Sequence, residues 1–295
     1  MAAETNLIKA ADLKRVREVD FVERFSDNMR SFLQALGVTR KIPKQAGAAL
    51  KAYKASGTLE SGTVAEGDTI PLSKYKTEPV SYGEITIKKW RKATSAEAIV
   101  DAGYDQAVQM TTEKMLSDVQ KGIKSDMFTF MATGTGTATG VGLQKAAAAA
   151  WGKLQVLFED TDSSTVFFMH PEDVADYLGG AVVTTQTAFG MSYIEGFLGL
   201  GTVFMNASVP KGKIYATAQD NIVVYYVPVN GADLDQAFSF TSDSTGYIGI
   251  HEEADYTNLT AFDTVISGVK IFAERIDGIV VATITAAAST GGSGE

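Results

Sequence analysis

The residues in this chain best suited to moving a proton are its two histidines, His170 and His251, and each stands alone among strand-like residues. Hydroxyls are plentiful, but no G-x-S-x-G elbow accompanies them, so neither histidine gains a nucleophile to activate. His170 precedes Pro171 and reads as a strand-end residue making local hydrogen bonds. With no cysteine in the sequence, thiolate catalysis, thiolate metal sites and disulfides are excluded. Glu172, Asp173 and Asp176 fall at helical spacing and could suggest a divalent cation. Carboxylates in the first turn of a helix that opens at Pro171 are already explained by the helix dipole. The glycine-rich stretch TGTGTATGVG (133–142) is the one phosphate-cradle lookalike. It lacks the terminal lysine and hydroxyl of a P-loop, and it follows a helix where a dinucleotide fingerprint follows a strand. It reads as a flexible hinge. No catalytic residue, cofactor or metal is expected.

Charge gives a second set of candidates. Lys88, Lys89, Arg91 and Lys92 surround Trp90, a basic aromatic patch of the kind that can stack single-stranded nucleic acid. Glu66 and Asp68 lie on the same expected ribbon with Lys74 and Lys76, so the patch reads better as a solvated strand that pairs with the opposite charge on another subunit. The expected intersubunit contacts are therefore Glu66, Asp68, Lys74, Lys76, Lys88, Lys89, Trp90 and Arg91. The net charge is -9. Residues 1–60 carry 11 Lys+Arg against 7 Asp+Glu (+4), leaving 15 against 28 (-13) for the remainder. An acidic body is a poor broad grip for phosphates, but it suits a wall that must not stick to nucleic acid beside it.

These residues need elements to hold them. Hydrophobic residues make up 45% of the 295 positions, which supports one or two connected domains. No apolar run is long enough to span a membrane and no signal-peptide core opens the chain, so a cytoplasmic protein is expected. Leu13, Val16, Phe21, Val22, Phe25, Met29, Phe32, Leu33 and Leu36 predict an amphipathic helix between an Asp12 cap and a Gly37 stop. Strands are predicted over about 69–77 and 80–92, reversing near Thr77, Glu78 and Pro79. Neither face of that ribbon has a continuous apolar row, so it should project and be held by a neighbouring chain. A helix capped by Thr94 or Ser95 should run to about Met131, roughly 54 Å, weakened and bent at Gly103 and Gly122. A helix follows from about 143. Short strands at VFFMH, TVFMNA, KIYATA, NIVVYYVPV and YIGIHEE, with a helix at PEDVADYLGG and a turn at Asn230-Gly231, complete an α+β unit over about 140–255. Two last strands should reverse at Asp277-Gly278, ahead of a flexible tail over 286–295.

This order resembles the Hong Kong 97-type capsid fold of tailed phages and encapsulins. The wording of ADLKRVREVDFVERFSDNMRSFLQALGVTRKIP, GTVAEGDTIPLSKYK, KKWRKATSAEAI, HPEDVADYLG, TQTAFGMSYIEGFLGLGTV, VPKGKIYATAQDNI and SGVKIFAERIDGIVVATI is similar to major capsid proteins of long-tailed phages of Gram-positive hosts, over roughly 5–285. The resemblance implies an N-terminal arm (1–61), an extended loop overlapping an adjacent subunit (62–94), a peripheral domain with a spine helix (95–139) and an axial domain (140–255). Return strands over 256–285 would complete the peripheral sheet. It further implies a homo-oligomer of pentamers and hexamers forming an icosahedral head around double-stranded DNA. Since few residues precede the ribbon, a separate scaffolding protein is expected, together with a portal protein and decoration proteins, in a virion capsid assembled in the host cytoplasm. The alternatives are an encapsulin-like compartment shell or a nucleotide-binding enzyme using the 134–142 loop.

Overall fold

The structure, a computed structural model, describes residues 10–159, 164–180, 184–230, 234 and 237–286. In chain order its helices are α1 (Ala10–Ala35), α2 (Ala96–Ala102), α3 (Met110–Met131), α4 (Gly142–Leu157) and α5 (Pro171–Gly180). Its strands are β1 (Lys41–Pro43), β2 (Ala49–Thr58), β3 (Lys74–Glu84), β4 (Lys88–Ser95), β5 (Gly136–Val141), β6 (Thr165–Met169), β7 (Gln186–Ala188), β8 (Met191–Phe197), β9 (Gly201–Met205), β10 (Lys213–Ala218), β11 (Ile222–Tyr226), β12 (Ile248–Asp255), β13 (Thr260–Ser267), β14 (Val269–Ala273) and β15 (Ile279–Thr285).

The apolar stripe of α1 does find a partner, and the partner is the same molecule. Phe21, Val22, Phe25, Met29, Phe32, Leu33 and Leu36 are all buried. Phe32 stacks on Phe189 at 5.3 Å between centroids and meets Phe204 edge-on at 5.8 Å. Burying such side chains is worth about 1.5–3 kcal/mol each before entropy, so this helix is part of the subunit's own core rather than an arm waiting for a neighbour. Gly37, at φ +70°, ends it, with Val38 N–H returning to Leu33 O at 2.9 Å. Asp12 lies inside the helix instead of capping it.

The long helix is interrupted. Ser95 caps α2, its Oγ accepting from Ala98 N at 3.3 Å, but Gly103 at φ +80° closes α2 after two turns. A π-helical turn over Asp105–Gln109 then leads into α3, whose apolar face (Leu116, Val119, Ile123, Met127, Phe128, Met131) packs on α1 and the central sheet. Gly122 sits inside α3 without breaking it.

That sheet has seven strands in the order β5-β15-β10-β6-β9-β8-β7. Its strand β6 is buried on both faces. Val166 and Phe168 face the α1/α3 core, while Phe167 and Met169 face Ala146, Ala147, Ala150 and Leu154 of α4. Period-two alternation thus sorts one short apolar run into two cores. The 133–142 stretch is not a hinge: 136–141 form β5, parallel to β15. Its glycines serve close packing, since a Cβ on Gly140 would lie 2.2 Å from Ala146 N and one on Gly134 2.5 Å from Ile279 Cγ2.

The last strands also part company. The strands β14 and β15 do not pair; β14 joins β11 and β1 in one three-stranded sheet, and β15 enters the large sheet between β5 and β10. Asp277-Gly278 is a turn, but it carries the chain between sheets. Asn221 fixes it, donating from Nδ2 to Arg275 O at 3.0 Å and accepting from Arg275 N at 2.8 Å. A third sheet runs β12-β13-β4, so β11 and β12, though within 140–255, pair outside the large sheet. Strands β7 and β8, in TQTAFGMSYIEGF, were not among those predicted from sequence. Of the predicted turn at Asn230-Gly231, Gly231 lies outside the described residues, as does the 287–295 tail.

Candidate assembly surface

The remaining sheet is a two-stranded ribbon, β2 against β3, which pairs with nothing else among the described residues. The reversal is not at Thr77–Pro79. Pro79 sits within β3 opposite Tyr53, and the chain turns over residues 59–73. A strand bare along one edge tolerates a proline, which has no N–H to pair. At about 3.4 Å per residue, the 11 residues of β3 reach about 35 Å.

The two ends of the ribbon differ in character. At the base, Ile85 N–H donates to Ala48 O (3.1 Å), and Leu50 and Ile85 are buried against Val223, Tyr225, Val227 and Phe272. The tip is bare. Leu59 is 76% exposed, Ile70 73% and Leu72 93%, and Tyr75 stands exposed beside them. Glu60 N–H donating to Ser73 Oγ at 3.1 Å closes the tip, and Glu66 and Asp68 are exposed on it. On β3, Lys74 is exposed and Lys76 pairs with Glu78.

The basic patch lies elsewhere. Lys88, Lys89, Trp90 and Arg91 belong to β4, not to the ribbon, and β13 lies beside them in register. Lys88 pairs with Asp126 of α3, and Arg91 reaches Glu253 at 3.1 Å while its guanidinium covers the Phe262 ring at 3.8 Å. Trp90 is half-buried against the main core, and Lys89 is exposed. Neighbouring strands and α3 thus supply, within the subunit, acidic partners for two of these cations.

Sequence reasoning missed a buried charge cluster behind this patch. Lys92, Asp263 and Glu252 are cross-strand neighbours on β4, β13 and β12. Lys92 Nζ meets Asp263 Oδ2 at 2.8 Å, Thr112 Oγ1 donates to that same carboxylate oxygen at 2.9 Å, and Arg17 of α1 pairs with Glu252 and lies 3.4 Å from Asp263. Glu18 accepts from Glu252 N at 2.7 Å and from the Thr241 hydroxyl. The π turn takes part, because Lys92 Nζ also donates to Val108 O at 3.2 Å. Burial pushes the Glu252 carboxyl above its usual range, and the repulsion of Asp263 and Glu18 adds to this against the pull of Arg17. The visible signal was an acidic residue set into each of two strand runs, IGIHEEAD and TAFDTVIS.

His170 makes the local contact expected, its Nδ1 accepting from Glu172 N at 3.2 Å. Glu172 pairs with Lys211 at 2.7 Å, whose ammonium holds the carboxyl below the usual carboxylate range, and Asp173 accepts from Gly212 N at 2.6 Å. His251 sits on β12 opposite Thr264, its ring 6.3 Å from that of Phe240. No group of three potential metal ligands occurs among the described residues, and no described helix is long and apolar enough to cross a membrane.

No protein-family model matches the chain, and no curated protein sequence matches it significantly. Solved structures do match. The capsid of a native GTA particle is 11% identical, with 86% of this chain and 91% of that chain covered at a TM-score of 0.56. The capsid of cyanophage A-1(L) is 13% identical, covering 85% and 91% at 0.54. An encapsulin complex from Synechococcus elongatus is 12% identical, covering 85% and 86% at 0.50. This is the Hong Kong 97-type capsid fold. In its form here, a ribbon with a buried base and a bare tip is carried on a body whose two large cores contain no ribbon residue.

Proposed function

We propose that the chain is a structural shell subunit, the major capsid protein of a tailed phage, which repeats in pentamers and hexamers to enclose double-stranded DNA and performs no catalysis. The observation that carries this reading is the ribbon. Two strands alone are marginal in water, and both bare edges and the apolar tip of this one invite a second chain. The two large cores contain no residue of the ribbon, so the body does not need the ribbon's tip in order to fold. A neighbouring copy supplies the missing surface, and the same contact repeated with a closing rotation yields rings and then a shell. The intersubunit contact is proposed at the tip and on β3, where Glu66, Asp68, Lys74 and Lys76 are presented with Leu59, Ile70 and Leu72. Lys89 contributes from β4, whereas Lys88, Trp90 and Arg91 already have partners within the subunit and act mainly by holding β4 in place. Assembly would use a separate scaffolding protein and a portal, with decoration proteins added outside, in the host cytoplasm.

The likeness to an encapsulin favours a second reading, a compartment shell holding an enzyme. Copurification of one cargo enzyme with the shells would select it, whereas dependence on scaffold and portal selects the phage capsid. The nucleotide-enzyme reading loses its loop, since 136–141 are a sheet strand.

The test replaces residues 59–73 with Asn-Gly, which joins Thr58 directly to its register partner Lys74. The variant should keep the parent's circular dichroism and thermal transition, yet yield no closed particles by electron microscopy where the parent yields them. Closed particles of normal size from the variant would refute the reading.

A further inference from the structure

A cleft of about 680 Å³ opens between α3, the start of α5 and the β8–β9 end of the large sheet. One face of α3, spaced 0, 3, 4 and 7, supplies Ser117, Gln120, Lys121 and Lys124; Ser192 and Ser208 face them among apolar walls. The lining includes no aspartate or glutamate, in a chain whose net charge is -9. Several cations elsewhere in this subunit are matched by carboxylates, as at Lys88, Arg91 and Lys92. Here two lysines stand one turn apart with no ion pair of their own among the described residues.

Two groups at the cleft keep hydrogen-bonding capacity within the subunit. Lys124 is half-buried, and its Nζ donates to Phe189 O at 2.8 Å, which leaves further protons to give. Burial, with Lys121 adding to it, lowers the ammonium's pKa. Gln120 lines the cleft at 8% exposure, and its Nε2 is buried with no acceptor. The two lysine ammoniums that line the cleft would both be satisfied by the same thing, an anion with several acceptor oxygens.

We propose that this cleft binds a phosphate group. Lysine ammoniums are compact point charges that suit a phosphate, and the serine hydroxyls supply directional donors around it. The volume exceeds that of a bare phosphate and falls in the range of clefts that take small molecules, so the phosphate is carried on a larger body or shares the cleft with water. Because the cleft joins α3 to α5 and the sheet, an occupied site ties the long helix to the large sheet.

The test titrates dispersed full-length subunits by calorimetry with inorganic phosphate and, separately, with adenosine monophosphate, at constant ionic strength. One saturable site is expected, with Lys121→Gln weakening it several-fold and Lys124→Gln at least about tenfold, the cost of a hydrogen bond to a charged group. Tighter binding of the nucleotide than of free phosphate would assign the source to a phosphorylated organic molecule using the apolar walls; equal binding would assign it to the free ion. Both outcomes support the site. Lys121 is exposed, so its variant stays folded even if Lys124→Gln loosens the Phe189 loop. Absence of saturation by either ligand, equal competition by chloride, or unchanged affinity in Lys121→Gln would overturn the proposal.

Discussion

Replacing Asp263 by Asn tests whether the buried charge row ties α1 and α3 to the β12-β13-β4 sheet. The side chain is 3% exposed and faces Lys92 Nζ at 2.8 Å and Arg17 at 3.4 Å. Asp263 is the one carboxylate that Lys92 meets among the described residues, and asparagine removes its charge while keeping nearly the same shape. Removing one partner of a buried pair costs about 3–5 kcal/mol, chiefly because the other charge stays buried and uncompensated. The lower end applies here. Lys92 is 18% exposed and keeps the hydroxyls of Thr111 and Thr112, and Arg17 keeps Glu252. A loss of about 3 kcal/mol is therefore expected in urea unfolding of dispersed subunits, followed by the fluorescence of Trp90, two residues from Lys92. Lys92→Met alone should cost a similar amount. The double variant should be less damaged than the two losses summed, by about 2 kcal/mol, because no lone charge remains. A loss below about 0.5 kcal/mol for Asp263→Asn, or additivity within about 0.5 kcal/mol, would show that the row is solvated and the reasoning wrong.

Glu252 sets a pH dependence of definite sign. Its pKa is raised from 4.5, so the folded chain binds more protons at this site than the unfolded chain. The contribution to stability is complete below 4.5 and is lost as pH rises through the raised value; Glu252→Gln should remove that part of the slope of unfolding free energy above pH 4.5. Glycines in and beside α4 should respond oppositely. Gly140→Ala drives a Cβ into the Ala146 backbone and should destabilise by about 1–3 kcal/mol. Gly152→Ala meets nothing within 4 Å and should stabilise by up to about 1 kcal/mol, both readable as midpoint shifts in urea. Phe32→Ala, removing a ring with 0% exposure between Phe189 and Phe204, should cost about 3–5 kcal/mol and expose α1 to limited proteolysis that the parent resists.

Local signals in the sequence were strong wherever one residue type forces one conformation. Gly37 stops α1, Ser95 caps α2, Pro171 opens α5, and KIYATA is β10 residue for residue. The local hydrogen bond of His170 was equally legible, because it needs only the backbone of the helix that follows. The errors fell where two segments distant in sequence had to choose each other. Glu78-Pro79 resembles a turn, but β2 lies alongside it and makes it mid-strand; Asp277-Gly278 is a turn, but the strands on either side prefer different sheets. The glycines of 134–140 looked flexible in isolation and proved to be points of closest approach, since a missing Cβ reads the same in sequence whether it permits motion or contact.

By itself, then, the sequence determined many of the helices and strands, which faces are apolar, and that the order of elements resembles a shell-forming fold. Only the tertiary structure decided that α1 belongs to the subunit's own core, that the basic residues of β4 are largely matched within the chain, and that Lys121 and Lys124 line one cleft. Periodicity is a property of neighbours in the chain and can be read along it. Burial of a charge, or the lack of a partner for it, depends on what folding brings to within a few ångströms from more than a hundred residues away, as with Arg17 and Glu252.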